Sequence, residues 1–265
     1  MRDKYNNLIN NLKEKRKVCI AFSGGVDSTF LLKVAQNILG ENVLAITVKS
    51  SMCPDRELKE TEEFCKSLKI KHIFLDANEY SVPEFVANSK DRCYFCKKGI
   101  FSKVKEIAKE EGFDIVADGS NLDDDGDYRP GIKALKELEI TSPLKEAGLT
   151  KNEIRKLSKE LGLATWDKPS MACLASRIPY GNAITREKLK KIEIAEEFLL
   201  SNNFKQFRVR YHDDLAKIEV LKEDIPRILQ LSEVIIAKLK EIGFNYITLD
   251  LEGYRTGSMN EVLSK

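Results

Sequence analysis

The chain has 265 residues, enough for one large domain or two ordinary ones, and 42% hydrophobic content is ample for a core. Charge is heavy at 32%, yet 44 basic side chains nearly cancel 42 acidic ones to leave +2, which argues against holding long nucleic acid through its phosphates. No apolar run reaches membrane-spanning length and no signal segment opens the chain, so a cytoplasmic protein is expected, its six cysteines reduced, catalytic or metal-bound rather than disulfide-paired.

Residues 1–17 carry Tyr5, Leu8, Ile9 and Leu12 at helical spacing, which predicts a leading amphipathic helix. Val18–Phe22 predicts a buried strand, and Phe30–Leu39, stopped by Gly40, a helix. Between them lies Ser23-Gly24-Gly25-Val26-Asp27-Ser28-Thr29. A strand that turns through glycines into a helix N-terminus aims backbone N–H groups and a positive dipole end at one spot, where an anion can sit. Gly24 and Gly25 let a phosphate approach, and the hydroxyls of Ser23, Ser28 and Thr29 add donors. The plainer alternative is a tight turn with an N-capping serine; the Walker pattern is absent.

Asn42–Val48 predicts a second strand ending at the loop Lys49–Pro54, Asp55 is placed to cap a helix through about Leu68, and Ile70–Leu75 predicts a third strand. Strands alternating with helices imply right-handed crossovers and a parallel α/β sheet, in which ligands gather outside the carboxyl ends of the strands. His72 and His212 fit half-buried strand positions, and two histidines do not make a multi-histidine metal site. Cys19 and Cys65 fall on packing positions; Cys53 is an ordinary loop thiol on the binding side.

Asp91-Arg92-Cys93-Tyr94-Phe95-Cys96 is a C-x-x-C, followed by a predicted helix through about Glu111. It can be half of a structural zinc site, a redox dithiol, or two of three ligands of an iron–sulfur cluster whose third is Cys173; spacing leaves the three open. Asp114–Asp118 predicts a strand entering an acidic, glycine-rich loop to Gly131, where Asp118 and Arg129 are candidate ligands of a nucleotide or its metal. Thr150-Lys151-Asn152-Glu153 is a capping box opening a helix that ends near Gly162, and Trp166–Pro169 leads into the Cys173 loop.

From Thr185 the order becomes helix (186–201), strands near Phe207–Tyr211 and Ala216–Val220, a helix through about Ile242 and a strand Tyr246–Leu251, which predicts a small split α/β domain. The chain is accordingly divided into 1–181 and 182–265. Arg208 and Arg210 share a strand face, as surface charges or as a pair of forks for phosphate or carboxylate.

The string Ser23–Ser28 resembles the PP-loop of the ATP pyrophosphatase superfamily, an adenine nucleotide alpha hydrolase-like fold. Together with RCYFCK, DGSN to DYRPG, WDKPSMACLASRIPYG, RVRYH and LDLEGYRTGS, the chain is similar end to end to the LarE family of ATP-dependent sulfur transferases. The resemblance implies that ATP adenylates a carboxylate of a pyridinium mononucleotide, releasing pyrophosphate held at Ser23, Gly24, Gly25, Asp27 and Ser28, with Asp27 placing Mg²⁺. It implies that sulfur enters at Cys173, either by sacrifice of that thiol or through a [4Fe–4S] cluster on Cys93, Cys96 and Cys173; three cysteines favour the cluster. Arg208, Arg210 and Arg255 are candidates for the substrate phosphate, and a homo-oligomer is expected. A tRNA thiolase of the same superfamily, and a non-catalytic nucleotide sensor, are the competing functions; near-neutral charge and no evident added RNA-binding domain weigh against the first, and a loop beside thiols suits chemistry better than sensing.

Overall fold

The alternation of apolar strands and amphipathic helices is borne out in the computed structural model, which describes residues 1–126, 130–169 and 172–263. The chain forms two compact units, Met1–Val82 with Asp91–Met171, and Pro83–Lys90 with Ala172–Lys265. The expected division at 181/182 therefore falls inside the second unit, and the short detour 83–90 belongs there too. Hydrophobic periodicity does not report that detour because hydrogen bonds to residues far along the chain help secure it, Ile184 N to Val86 O at 2.9 Å among them. Buried Asn88 donates its Nδ2 to the carbonyls of Ile178 (3.2 Å) and Pro179 (2.7 Å), while Gly181 N donates back to its own carbonyl at 3.0 Å.

The first unit holds α1 (Arg2–Lys15), β1 (Val18–Ala21), α2 (Val26–Leu39), β2 (Val43–Lys49), α3 (Asp55–Ser67), β3 (Lys71–Asp76), α4 (Arg92–Glu110), β4 (Val116–Ala117), α5 (Gly131–Glu137), α6 (Pro143–Glu146) and α7 (Lys151–Glu160). Its four strands lie in the order β3-β2-β1-β4, all parallel, with Val18 opposite Val43 and Ala21 opposite Ile46. Successive strand residues face opposite ways, so Val18, Ile20, Val43 and Ala45 pack with α2 residues such as Phe30 and Leu31, while Cys19, Leu44 and Ile46 pack with Val104 and Ala108 of α4. Two local expectations change. Asp55 is the first helical residue of α3 and Pro54 stands at its N-cap; α4 begins at Arg92, so both thiols of the C-x-x-C lie inside the helix rather than before it.

The second unit holds α8 (Arg186–Ser201), β5 (Phe207–His212), β6 (Leu215–Val220), α9 (Ile225–Gln230), α10 (Ser232–Ile242) and β7 (Tyr246–Leu249). The single helix expected before β7 is two, separated at Leu231, and the strand ends at Leu249. β5 pairs antiparallel with β6 and β6 parallel with β7. No helix among the described residues is long and apolar enough to cross a membrane.

Candidate functional site

In the first unit the glycine loop joins β1 to α2 as the sequence requires. Gly24 sits at φ +71°, a left-handed conformation that costs a side-chain-bearing residue, and a Cβ there would stand 2.8 Å from Thr61 Cγ2. Ser28 ties the turn together: its Oγ accepts from Ser23 N (3.3 Å), lies 3.1 Å from Ser23 Oγ and donates to Gly25 O at 3.2 Å. The loop therefore holds its shape before any anion arrives, and the N-terminus of α2 points its first N–H groups into it.

Two lysines that sequence reasoning passed over flank this loop. Lys151, the first residue of α7, forms an ion pair with Asp27 Oδ2. Lys168 donates to Gly24 O at 3.1 Å and pairs with Glu60 Oε2 at 2.6 Å. Arg155 in turn fixes the lysine's backbone by donating to the carbonyls of Trp166 and Lys168, both at 2.8 Å. Asp27 Oδ1 is buried and has no hydrogen-bond partner among the described residues. Burial pushes the Asp27 carboxyl above its ordinary range; Lys151 pulls the other way and Asp124 adds to the rise. A carboxylate oxygen left bare beside an anion-shaped turn suits a hard divalent cation carried in with a polyphosphate.

The loop after β4 closes on the same helix end. A Cβ on Gly119 would meet Ser28 N at 3.0 Å, so the glycine is what lets this loop lie against α2. Asp118 is buried and shapes the loop: Ser142 Oγ donates to Oδ1 at 2.7 Å, Ser120 N to Oδ1 at 3.2 Å, and Ser120 Oγ to Oδ2. Both its oxygens thus already accept hydrogen bonds. Arg129 lies outside the described residues. On the other flank Cys53 Sγ is 3.8 Å from Glu57 Oε2, and burial raises the Glu57 carboxyl, against Lys168 and Arg56.

Cys93 and Cys96 stand three apart on the first turns of α4 and so share one helix face, Cys93 exposed and Cys96 half-buried. Gly131 packs against that turn, where a Cβ would meet Lys97 Cδ at 2.6 Å and Cys93 O at 3.3 Å. Thiols in such a pair are soft donors with the spacing iron or zinc accepts. Among the described residues no three His, Cys, Asp or Glu side chains group to hold a metal ion. Cys19 and Cys65 are packing residues, as expected, and burial pushes both thiols up to about 12.

In the second unit Cys173 is exposed and its backbone is held by Arg177, a fully buried side chain. Arg177 NH1 donates to the carbonyls of Ala172 (2.6 Å) and Cys173 (3.1 Å), while its Nε and NH2 form a fork onto Glu196 of α8 at 2.9 and 2.8 Å. Burial works against the cation, but Glu196 outweighs it and holds the guanidinium above its ordinary value. Arg208 and Arg210 are buried too, so they are not the surface charges arginines usually are. Arg210 donates to Glu219 Oε2 (2.7 Å), Ser176 O (3.0 Å) and Ser258 Oγ (2.9 Å); Arg208 donates to Phe207 O and lies 5.1 Å from the Tyr254 ring centroid. Burial first, and then Arg177, lowers Arg208 to about 10. Arg255 is more accessible and faces Asp250, Glu252 and Glu261.

Comparison with known proteins agrees with this geometry. A family model described as a PP-loop domain matches residues 1–91. The chain is 37% identical over 259 residues to the pyridinium-3,5-bisthiocarboxylic acid mononucleotide synthase of Lactiplantibacillus plantarum, spanning 97% of this chain and 94% of that one. It is 42% identical to the uncharacterized protein slr1717 of Synechocystis over the whole of both chains. Argininosuccinate synthase of Natronomonas pharaonis is 30% identical over 167 residues, 57% of this chain and 40% of that enzyme.

Proposed function

Because the chain belongs to the LarE family of PP-loop, ATP-using sulfur transferases, we propose that it adenylates a carboxylate of pyridinium-3,5-biscarboxylic acid mononucleotide and exchanges that oxygen for sulfur. The observation that carries this reading is one chain joining a preformed anion loop to an exposed thiol whose backbone is clamped by a buried arginine.

A carboxylate resists substitution because oxide is a poor leaving group. Its oxygen attacks the α-phosphorus of ATP, the α–β bond breaks, and pyrophosphate departs into the loop of Ser23, Gly24, Gly25, Asp27 and Ser28. The helix N-terminus, Lys151 and Lys168 stabilise the charge that develops there. Asp27 would place Mg²⁺, which when bound neutralises the phosphates. A sulfur nucleophile then adds to the acyl carbon and AMP leaves: sulfide gives the thiocarboxylate directly, whereas the Cys173 thiolate gives a thioester, from which loss of the Cα proton and cleavage of the Cβ–S bond release the thiocarboxylate and leave dehydroalanine at position 173. Arg177 fixes the backbone from which the Cys173 thiol projects, so the sulfur comes from a defined position. Cys93, Cys96 and Cys173 would hold a [4Fe–4S] cluster, which when bound supplies iron able to carry sulfide. We further propose a cytoplasmic homo-oligomer, testable by light scattering.

The test is anaerobic turnover with ATP and the mononucleotide, followed by assay of nucleotide products and intact mass. AMP and pyrophosphate in step with thiocarboxylate are expected, and Cys173→Ala should abolish thiolation. ADP as product, or an active Cys173→Ala protein, sinks the proposal. Loss of one sulfur mass from Cys173 would favour the sacrificial route over the cluster.

A further inference from the structure

Three carbonyls of the anion loop and its entry are tied down by side chains. Gly25 O accepts from Ser28 Oγ (3.2 Å), Gly24 O from Lys168 Nζ (3.1 Å) and Phe22 O from Thr47 Oγ1 (2.8 Å). A carbonyl that swung towards the phosphates would repel them, so each tether favours the anion. The tether on Phe22 is aimed by a further group. Thr47, buried on β2, has one hydroxyl proton, and Phe22 O takes it; its oxygen is then an acceptor for His72 Nε2, 2.8 Å away on β3. That arrangement sets the His72 tautomer, with the proton on Nε2. The imidazole packs beside the rings of Phe22 and Phe74, 6.3 and 4.5 Å between centroids, and burial holds it below its ordinary pKa, with Glu62 acting the other way. A relay of two hydrogen bonds therefore crosses the sheet from its edge strand, through β2, to the residue that follows β1. The peptide it reaches is held at its other end too, since Ser23 N donates to Ser28 Oγ at 3.3 Å. One planar unit is thus fixed by Thr47 at its oxygen and by Ser28 at its nitrogen.

We propose that His72 is a positioning residue of this loop: through Thr47 it sets the tilt of the Phe22–Ser23 peptide plane, and with it the Ser23 and Ser28 hydroxyls that meet the departing pyrophosphate. A hydroxyl rotates freely about its C–O bond, so Thr47 alone would hold Phe22 O loosely. The bond from His72 removes that freedom, and hydrogen bonds in series strengthen one another. Donors fixed in advance stabilise a growing charge without reorganising as it forms, which is why the tilt of one peptide counts. The inference rests on the reading of this loop as the pyrophosphate site and on nothing about the mononucleotide.

The test is calorimetric binding of magnesium pyrophosphate to the full chain, with AMP as the control ligand, alongside hydrogen exchange at the Ser23 amide. Thr47→Val keeps the side chain's shape but removes the relay, and should weaken pyrophosphate about tenfold and speed Ser23 exchange. His72→Phe keeps a ring among Phe22 and Phe74 and leaves Thr47 to reach Phe22 O alone, so the loss should be smaller, about three- to fivefold. His72→Gln, which carries an amide donor, should recover most of that loss. The two losses should not add: Thr47→Val/His72→Phe should match Thr47→Val within about twofold. AMP, which lacks the departing phosphates, should bind every variant within about twofold of the parent, a split that a general loss of folding would not give. A Thr47→Val protein that binds pyrophosphate like the parent overturns the proposal. So do additive losses, a His72→Gln protein no better than His72→Phe, or AMP weakening in step with pyrophosphate. If the parent itself binds no pyrophosphate, the loop reading fails; Ser23 exchange that rises in the same order of variants then still upholds the relay, and unchanged exchange sinks it.

Discussion

Replacing Arg177 by methionine tests how the reactive thiol is held. The guanidinium is fully buried and satisfied on every side, by both oxygens of Glu196 and by the carbonyls of Ala172 and Cys173. Removing one partner of a buried ion pair leaves the other charged in a low dielectric, at a cost of about 3–5 kcal/mol. That is a large share of the roughly 5–15 kcal/mol that stabilises a domain. Arg177→Met/Glu196→Met should recover much of the loss, since both charges leave together. Arg177→Lys should not recover it, because a point charge cannot hold two carboxylate oxygens and two carbonyls at once.

With two units in the chain a single unfolding midpoint would mix them, so the assay is hydrogen exchange at Ser176, whose amide donates to Cys173 O at 2.9 Å within the loop that Arg177 holds. The same samples should show a changed rate of Cys173 alkylation, a readout that a loss of stability elsewhere would not move. If Arg177→Met exchanges like the parent, or the double variant is no better than the single, the pair is not what fixes this loop.

Gly24→Ala should cost about 1–2 kcal/mol through its left-handed backbone, on top of the clash with Thr61, and should abolish pyrophosphate release. Gly25→Ala, whose Cβ meets nothing nearer than 3.5 Å, should fold normally; calorimetry separates the two. Glu57 has its carboxyl raised above 4.5 by burial, so its ionisation works against the folded state once pH exceeds that value. Glu57→Gln should therefore melt higher than the parent near neutral pH, and the gap should close below about pH 4.5. Cys19, raised from 9.0 to about 12, contributes stability that is complete below pH 9 and lost as pH climbs towards 12, on the order of 4 kcal/mol. Cys19→Ala should flatten that alkaline limb of a urea-midpoint profile, and at pH 8 iodoacetamide should label Cys93 and Cys173 but neither Cys19 nor Cys65.

The parallel sheet was legible because its cause is local. Val18–Phe22 and Val43–Ile46 are apolar at every position, as strands covered on both faces must be, and the glycine loop between strand and helix marks the carboxyl end of the sheet. Lys151 and Lys168 escaped notice although both stood inside strings that were singled out, because their partners Asp27, Gly24 and Glu60 are distant in sequence. Asn88 was missed for the same reason: its two acceptors are 90 and 91 residues away.

The arginines show where pattern misleads and what corrects it. In Phe207-Arg208-Val209-Arg210-Tyr211-His212 the period of two separates an apolar face from a cationic one, and alone that reads as inside against solvent. The register shows otherwise, since Arg208 lies opposite Glu219 and Arg210 opposite Lys217, and Lys217 faces Thr248 on β7. Charges of both signs therefore share the second face, and the segment after β7 covers it through Tyr254 on Arg208 and Ser258 on Arg210. Once covered, Arg210 pairs with Glu219 at 2.7 Å, while its Nε is buried with no hydrogen-bond partner among the described residues. Arg255, beyond the sheet, pairs instead with the exposed Glu252 and Glu261 and faces the largely buried Asp250.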